Sequence, residues 1–201
     1  IARIERIVRT MLDQTRQPAA RPEPLDLGAL LARLFDTIMP SLAARNVSLE
    51  SSIDVDLPWL YADGDQLQQV FINIVNNSLD AMPDGGKLGV SARRVDDEVQ
   101  VCFADTGHGI DDADLPHIFE PLYTTKAEGE GRGTGFGLAV SMQIVREHGG
   151  EVRLRADGEW STIFSFTLPI AGNEDRRKAQ DRRSVRGERR RRKDDDPSRG
   201  S

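Results

Sequence analysis

The sequence predicts an α+β fold: a two-layer α/β sandwich, with a mixed, mostly antiparallel sheet, helices on one face, and a separate N-terminal helix. Three observations predict it. Helical and strand periods interleave along residues 27–170 without a strict β-α-β-α alternation, which favours a mixed sheet over a doubly wound one. Two pairs of short strand-like runs follow one another closely, 87–94 with 98–104 and 151–156 with 162–168, as hairpin neighbours do. One long amphipathic helix, 65–82, has a single apolar face to lay on such a sheet.

Taken in order, residues 1–15 carry Ile1, Ile4, Ile7, Val8, Met11 and Leu12 at spacings of three and four, with Arg3, Glu5, Arg6 and Arg9 between them. So short a helix with one apolar stripe needs a partner helix. Pro18, Pro22 and Pro24 mark a linker. Leu27, Leu30, Leu31, Leu34, Phe35 and Ile38 place a helix at about 27–45, followed by a strand near 47–53 and a loop at Pro58. After helix 65–82, Asp84-Gly85-Gly86 makes a turn, and Val99, Val101 and Phe103 alternate as a half-buried strand does. Residues 105–134 read as loop with short helical pieces. A helix at about 136–148 ends at Gly149-Gly150, and the last strand closes at Pro169.

The chain has 201 residues, 27 Lys and Arg, 33 Asp and Glu, three His and one Cys. One cysteine excludes a disulfide framework and a Cys-based zinc site, and no apolar run approaches the length of a bilayer span. The first residue is Ile1, so the sequence reads as a piece of something longer. Residues 171–201 hold 12 basic and 7 acidic side chains and almost nothing apolar, which predicts a disordered charged tail. The remainder is strongly acidic, so no nucleic-acid partner is expected.

Three elements carry chemistry. On helix 65–82, Leu67, Val70, Phe71, Ile74, Ser78 and Met82 share one face, and Gln69, Asn73, Asn77 and Asp80 form a narrow polar stripe opposite. Asn and Asp are poor helix formers, so the stripe costs stability. An Asn carbonyl is a hard-oxygen ligand suited to Mg²⁺, an ion that combines few protein ligands with substrate phosphates. Next, Asp105-Thr106-Gly107-His108-Gly109-Ile110 follows a strand. A carboxylate there can accept a hydrogen bond from an exocyclic amine, and the glycines let backbone approach a flat ring. Third, Gly129, Gly131, Gly133, Gly135 and Gly137 occupy alternate positions just before a helix. Bare N–H groups at a helix start attract anions, and Lys126 and Arg132 flank them. Neither a GxxxxGK[ST] loop nor a GxGxxG fingerprint can be laid on these glycines.

In this order, with Phe119-Glu120-Pro121-Leu122-Tyr123-Thr124-Thr125-Lys126 between the last two, the motifs resemble the catalytic ATP-binding domain of bacterial sensor histidine kinases. That domain belongs to the GHKL group of Bergerat-fold ATPases, with the DNA gyrases, the Hsp90 chaperones and the MutL repair proteins. The resemblance covers about residues 1–170. It implies that residues 1–17 are the end of the second helix of a dimerisation and phosphoacceptor hairpin, 18–26 a linker, 27–170 the catalytic domain and 171–201 the tail. It implies ATP and Mg²⁺ as ligands. Asn77 would hold the metal, and Asn73, Asn77 and Lys126 would be catalytic. Asp80 and Ala81 complete the Asn box, Asp105 would read adenine, and Gly107, Gly109 and Ile110 would line the base. Thr125 and Lys126 would anchor the ATP lid. Arg132, Gly133, Thr134, Gly135, Phe136, Gly137 and Leu138 would meet the phosphates, and Thr162 would end the last glycine motif. Implied partners are a cognate response regulator, a phosphoacceptor domain and a second copy in a full-length homodimer. The implied location is cytoplasmic, with room for a membrane anchor upstream.

Two positions depart from the family pattern. Trp160 stands where the last motif has Gly, beside the expected adenine pocket, where it would cover the base or narrow the site. Leu122 replaces a more usual Phe, read as a neutral packing change. The hydrolases of the group place a Glu four residues before the metal-binding Asn. Here that position is Asn73, whose amide takes no proton, which favours phosphoryl transfer over hydrolysis. None of the three histidines fits the phosphoacceptor. His148, at a helix C-terminus, is read as a favourable place for positive charge. Two other readings stay open: a nucleotide-binding regulatory module without transfer, and an anti-sigma-type serine kinase of the same fold.

Overall fold

The computed structural model describes residues 20–125 and 135–171. The expected N-terminal helix, most of the residues around Lys126 and Arg132, and the charged tail lie outside them. Helix α1 (Leu27–Ala44) starts at Asp26, whose carboxylate accepts the Ala29 N–H at 3.0 Å. Strand β2 (Val47–Ile53) follows, then helix α2 (Gly64–Ala81), strands β4 (Gly86–Val95) and β5 (Glu98–Asp105), helix α3 (Gly137–Glu147), and strands β6 (Glu151–Asp157) and β7 (Trp160–Pro169). The main sheet runs β2-β4-β5-β7-β6. Only the β2–β4 pair is parallel, so the sheet is mixed and mostly antiparallel, as predicted.

Alternate residues of the central strands point to one face. Leu88, Val90 and Ala92 of β4, Val99, Val101 and Phe103 of β5, and Phe164, Phe166 and Leu168 of β7 are all in the core. The three helices cover that face. Leu30, Leu31 and Leu34 come from α1, Leu67, Val70, Phe71 and Ile74 from α2, and Ile144 and Val145 from α3. Phe71, Phe103 and Phe166 pack ring to ring, with centroids 5.2–6.4 Å apart, and pin α2 to the middle of the sheet. Removing any one of these buried rings would cost about 3–5 kcal/mol. Helix α1 is long and apolar enough to span a membrane by composition, yet its apolar side is this core.

The structure adds a second small sheet that the sequence reading did not contain. Strands β1 (Glu23–Leu25) and β3 (Leu60–Ala62) pair antiparallel, so part of the expected linker and of the Pro58 loop belongs to the fold. Three-residue strands are too short to show a period, and Pro24 and Pro58 signalled loop. A two-stranded ribbon has only edge strands, where proline is tolerated.

A candidate nucleotide site along helix α2

Helix α2 starts at Asp63, whose side chain accepts the N–H groups of Asp65 and Gln66 at 3.1 Å. Its apolar face lies on the sheet, which leaves the polar stripe directed away from it. Three segments distant in sequence meet the helix between Asn73 and Ala81, a span of about 12 Å.

At the upper end, Asn73 Nδ2 donates to Ser141 Oγ of α3 at 3.0 Å. A Cβ on Gly137 would lie 2.3 Å from Asn73 Oδ1, so only glycine lets the start of α3 sit this close to α2. One turn along, Ser78 Oγ donates to Asp105 Oδ2 at 2.9 Å. At the lower end, the His108 N–H donates to the Ala81 carbonyl at 3.1 Å, and a Cβ on Gly107 would lie 2.6 Å from the same oxygen. Thus Asn73 meets Gly137, Ser78 meets Asp105, and Ala81 meets Gly107.

Asp105 is 2% exposed at the end of β5. Burial pushes its carboxyl above the ordinary value. Hydrogen bonds from the Ser78 hydroxyl, the Gly107 N–H and the Thr162 side chain partly offset that rise. Thr162 reaches it because β5 and β7 pair in register at Asp105 and Thr162. Gly109, with φ of 76°, continues the turn past Ser161, and Ile110 packs against the core edge.

Asn77 is half-buried, and among the described residues its carboxamide has no hydrogen-bond partner, so its carbonyl oxygen is free to bind a ligand. Asp80 is held instead. Arg45, the residue that caps α1, donates to the Asp80 carboxylate at 3.0 Å and to the Leu79 carbonyl at 3.1 Å. Arg45 and Ser141 were not singled out from the sequence, and Ser78 was placed on the apolar face of its helix without a role. Ser78 had a visible signal as the one hydroxyl on that face, and Ser141 in its position four residues after Gly137 on the same helix face.

Within residues 105–134, read as loop with short helical pieces, Asp111–Ile118 forms single turns rather than helices. Leu122 does not pack as the sequence reading expected. It is 47% exposed, has φ of 73°, and donates its N–H to the Gly135 carbonyl at 2.9 Å. Thr125 is exposed, Phe136 is buried and Leu138 is half-buried against the core. Lys126, Arg132, Gly133 and Thr134 lie outside the described residues. An open cleft of 640 Å³ between α2 and α3 is lined by Gln69, Asn73, Gly137 and Ser141 among others. It reaches the upper end of the convergence and not Asp105.

Trp160 departs from the sequence reading. Between Arg155 and Asp157 the β6–β7 register slips by one residue on β7, a bulge that turns Trp160 to the other side. The ring lies over Gly89, where a Cβ would be 2.9 Å from it. Gly89 sits between the core residues Leu88 and Val90, so its side-chain direction is away from the helices. Trp160 therefore covers the outer face of the sheet and not the pocket at Asp105.

The family described as "Histidine kinase-, DNA gyrase B-, and HSP90-like ATPase" matches residues 62–172. Sporulation kinase E of Bacillus subtilis (strain 168) is 34% identical over 179 residues, 89% of this chain and 24% of that protein. Sensor histidine kinase ZraS of Escherichia coli (strain K12) is 31% identical over 168 residues, 84% of this chain and 35% of that protein. The chain thus spans between a quarter and about a third of the length of these relatives. Among solved structures, the nucleotide-free catalytic domain of histidine kinase ThkA matches with a TM-score of 0.67 at 25% identity, over 74% of this chain and 95% of that one.

Proposed function

This chain belongs to the histidine kinase-, DNA gyrase B- and HSP90-like ATPase family, and from that premise we propose that it is the ATP-binding catalytic domain of a two-component sensor histidine kinase. It would transfer the γ-phosphate of ATP to a histidine outside this sequence. The observation that carries the proposal is the meeting of Gly137, Asp105 and Gly107 with Asn73, Ser78 and Ala81 on one helix.

The geometry supports a division of labour. Asp105, buried and oriented by Ser78 and Gly107, suits an exocyclic amine such as that of adenine. Gly107 and Gly109 keep side chains off the base plane. Asn77 offers one hard oxygen to Mg²⁺, and phosphate oxygens would complete the shell. That fits the described residues, which hold no cluster of three or more His, Cys, Asp or Glu suited to a metal. Bound Mg²⁺ supplies charge neutralisation on the phosphates. Asn73 holds α3 through Ser141, which presents the N-terminal N–H groups of α3 towards the phosphates. Lys126, Arg132, Gly133 and Thr134 would meet the phosphates, and the described residues that flank them are joined at Leu122 and Gly135. Asp80, paired with Arg45, serves to hold α1 to α2 rather than to bind nucleotide.

The family includes hydrolases, and Asn73 separates this chain from them. It stands where a general base would sit, and its amide is spent on Ser141. The histidines support an external acceptor. His148 has both ring nitrogens engaged, His108 Nδ1 lies 2.8 Å from the Gly109 carbonyl, and His117 Nδ1 lies 2.9 Å from Glu120. The partners proposed with this reading are a response regulator and a phosphoacceptor hairpin, with a second copy in the dimeric whole protein.

The test mixes this chain with a separate dimerisation hairpin carrying an acceptor histidine and with γ-labelled ATP. Acid-labile label on the hairpin is expected. ATP binding without label transfer would replace this reading by the regulatory-module one, and acid-stable label on serine would replace it by the serine-kinase one.

A further inference from the structure

Helices α2 and α3 are joined a second time, at the ends away from Asn73. His148 follows the last turn of α3. Its Nε2 accepts the Asp63 N–H at 2.9 Å, and its Nδ1–H donates to the Ile144 carbonyl at 2.8 Å. One accepting and one donating nitrogen define a neutral ring with its proton on Nδ1. The sequence reading had placed positive charge here, and the Asp63 N–H takes the lone pair that a charged ring lacks.

Asp63 is itself shared. Its Oδ1 caps α2, and its Oδ2 accepts the Arg21 N–H at 2.8 Å. Burial alone would raise this carboxyl, but hydrogen bonds from the Arg21, Gln66 and Asp65 N–H groups, with a smaller electrostatic contribution from His148, hold it below the ordinary value. One aspartate thus joins the chain entering at Arg21, the start of α2 and, through His148, the end of α3.

We infer that His148 is a positioning residue for the nucleotide site, acting through Asp63. Helix α3 has 11 residues, about 16 Å of rigid rod. Asn73 grips its first turns and Asp63 its end. A rod held at both ends on a second helix does not pivot, and release of the far end lets the near end swing. The near end has little tolerance, because Gly137 already touches Asn73 and Ser141 must stay within hydrogen-bond reach of it. The same aspartate holds Arg21, so the described chain just before β1 is linked through Asp63 to α3. The inference rests on the nucleotide-binding reading above.

Three substitutions at His148 separate this role from simple capping. His148→Gln places an amide oxygen near the Nε2 position and keeps the bond to Asp63. His148→Asn places an amide N–H near the Nδ1 position and keeps only the bond to Ile144. His148→Ala keeps neither. In titrations with a fluorescent ATP analogue and Mg²⁺, His148→Gln is expected within about twofold of the parent chain. His148→Asn and His148→Ala are expected to weaken binding about five- to tenfold. Rescue by Asn and not by Gln, equal binding by all, or equal loss in all three would each overturn the inference. NMR of the nucleotide-free chain gives a readout independent of ligand. The Asn73 side-chain amide signals should shift in the Ala and Asn variants and stay in place in Gln, and nitrogen shifts of the parent ring should report the neutral Nδ1–H form. Unmoved Asn73 signals, a charged ring or the other tautomer would overturn it. If the parent chain fails to bind nucleotide, the functional reading falls, and the Asn73 signals alone decide whether His148 positions α3.

Discussion

Leu122 and Gly135, apart in sequence, clasp one another through their backbones. The Leu122 N–H donates to the Gly135 carbonyl at 2.9 Å, and both residues hold positive φ, 73° and 69°. A Cβ on Gly135 would lie 2.4 Å from the Leu122 carbonyl carbon. Gly135→Ala therefore meets a backbone clash and a left-handed conformation costing about 1–2 kcal/mol. The clasp between Leu122 and Gly135 should open. Nucleotide affinity is expected to fall about tenfold or more, with a small change in melting temperature because the clasp lies outside the core. Gly158→Ala is the control: φ is 62° there, but nothing lies within 4 Å of the added carbon. Affinity unchanged by Gly135→Ala would separate the clasp from nucleotide binding.

Asp105 sets recognition against stability. Its folded-state pKa is raised, chiefly by burial. Such a carboxyl favours the folded state below its unfolded pKa, and that contribution is lost as pH rises through the folded pKa. Near pH 7 the ionised group is a net cost. Asp105→Asn is expected to raise the melting temperature at pH 7 and to lose that advantage at acid pH. It should weaken ATP by about 1–3 kcal/mol, the loss of a buried charged hydrogen bond. In the parent chain, ATP affinity should fall as pH drops through the Asp105 titration. Calorimetric melts and titrations across pH measure both. A lower melting temperature at pH 7, or equal binding of ATP and GTP by the parent, would refute the assignment.

Trp160→Gly restores the small residue of the family pattern. Since the ring covers Gly89 on the outer face of the sheet, nucleotide affinity should stay within about twofold of the parent. Stability should fall by about 1–3 kcal/mol from the apolar area uncovered. Denaturant unfolding and nucleotide titration test the two halves, and a large gain in affinity would put the ring back in the pocket.

Asn77→Ala removes a stripe carboxamide that has no hydrogen-bond partner among the described residues. The expected outcome is loss of the Mg²⁺-dependent part of nucleotide binding with the fold intact. Titrations with and without Mg²⁺ measure it, and an unchanged Mg²⁺ effect would take the metal away from this residue.

The apolar face of α2, the alternation in β5, the glycine turns and the order of the three polar motifs are periodic or local properties. The sequence by itself therefore determined the sandwich, its helices on one face, and Asn73, Asn77, Asp105 and the glycines as the residues of interest. Tertiary structure alone decided what depends on contacts between distant segments. It gave Asp80 to Arg45 and Asn73 to Ser141, turned Trp160 to the far face through one bulged residue on β7, and built β1 and β3 from segments too short to show a period. It also made His148 neutral, because an N–H from the start of another helix occupies its second nitrogen. A side chain's role is set by the partner that reaches it, and a linear pattern records its spacing along the chain without recording that partner.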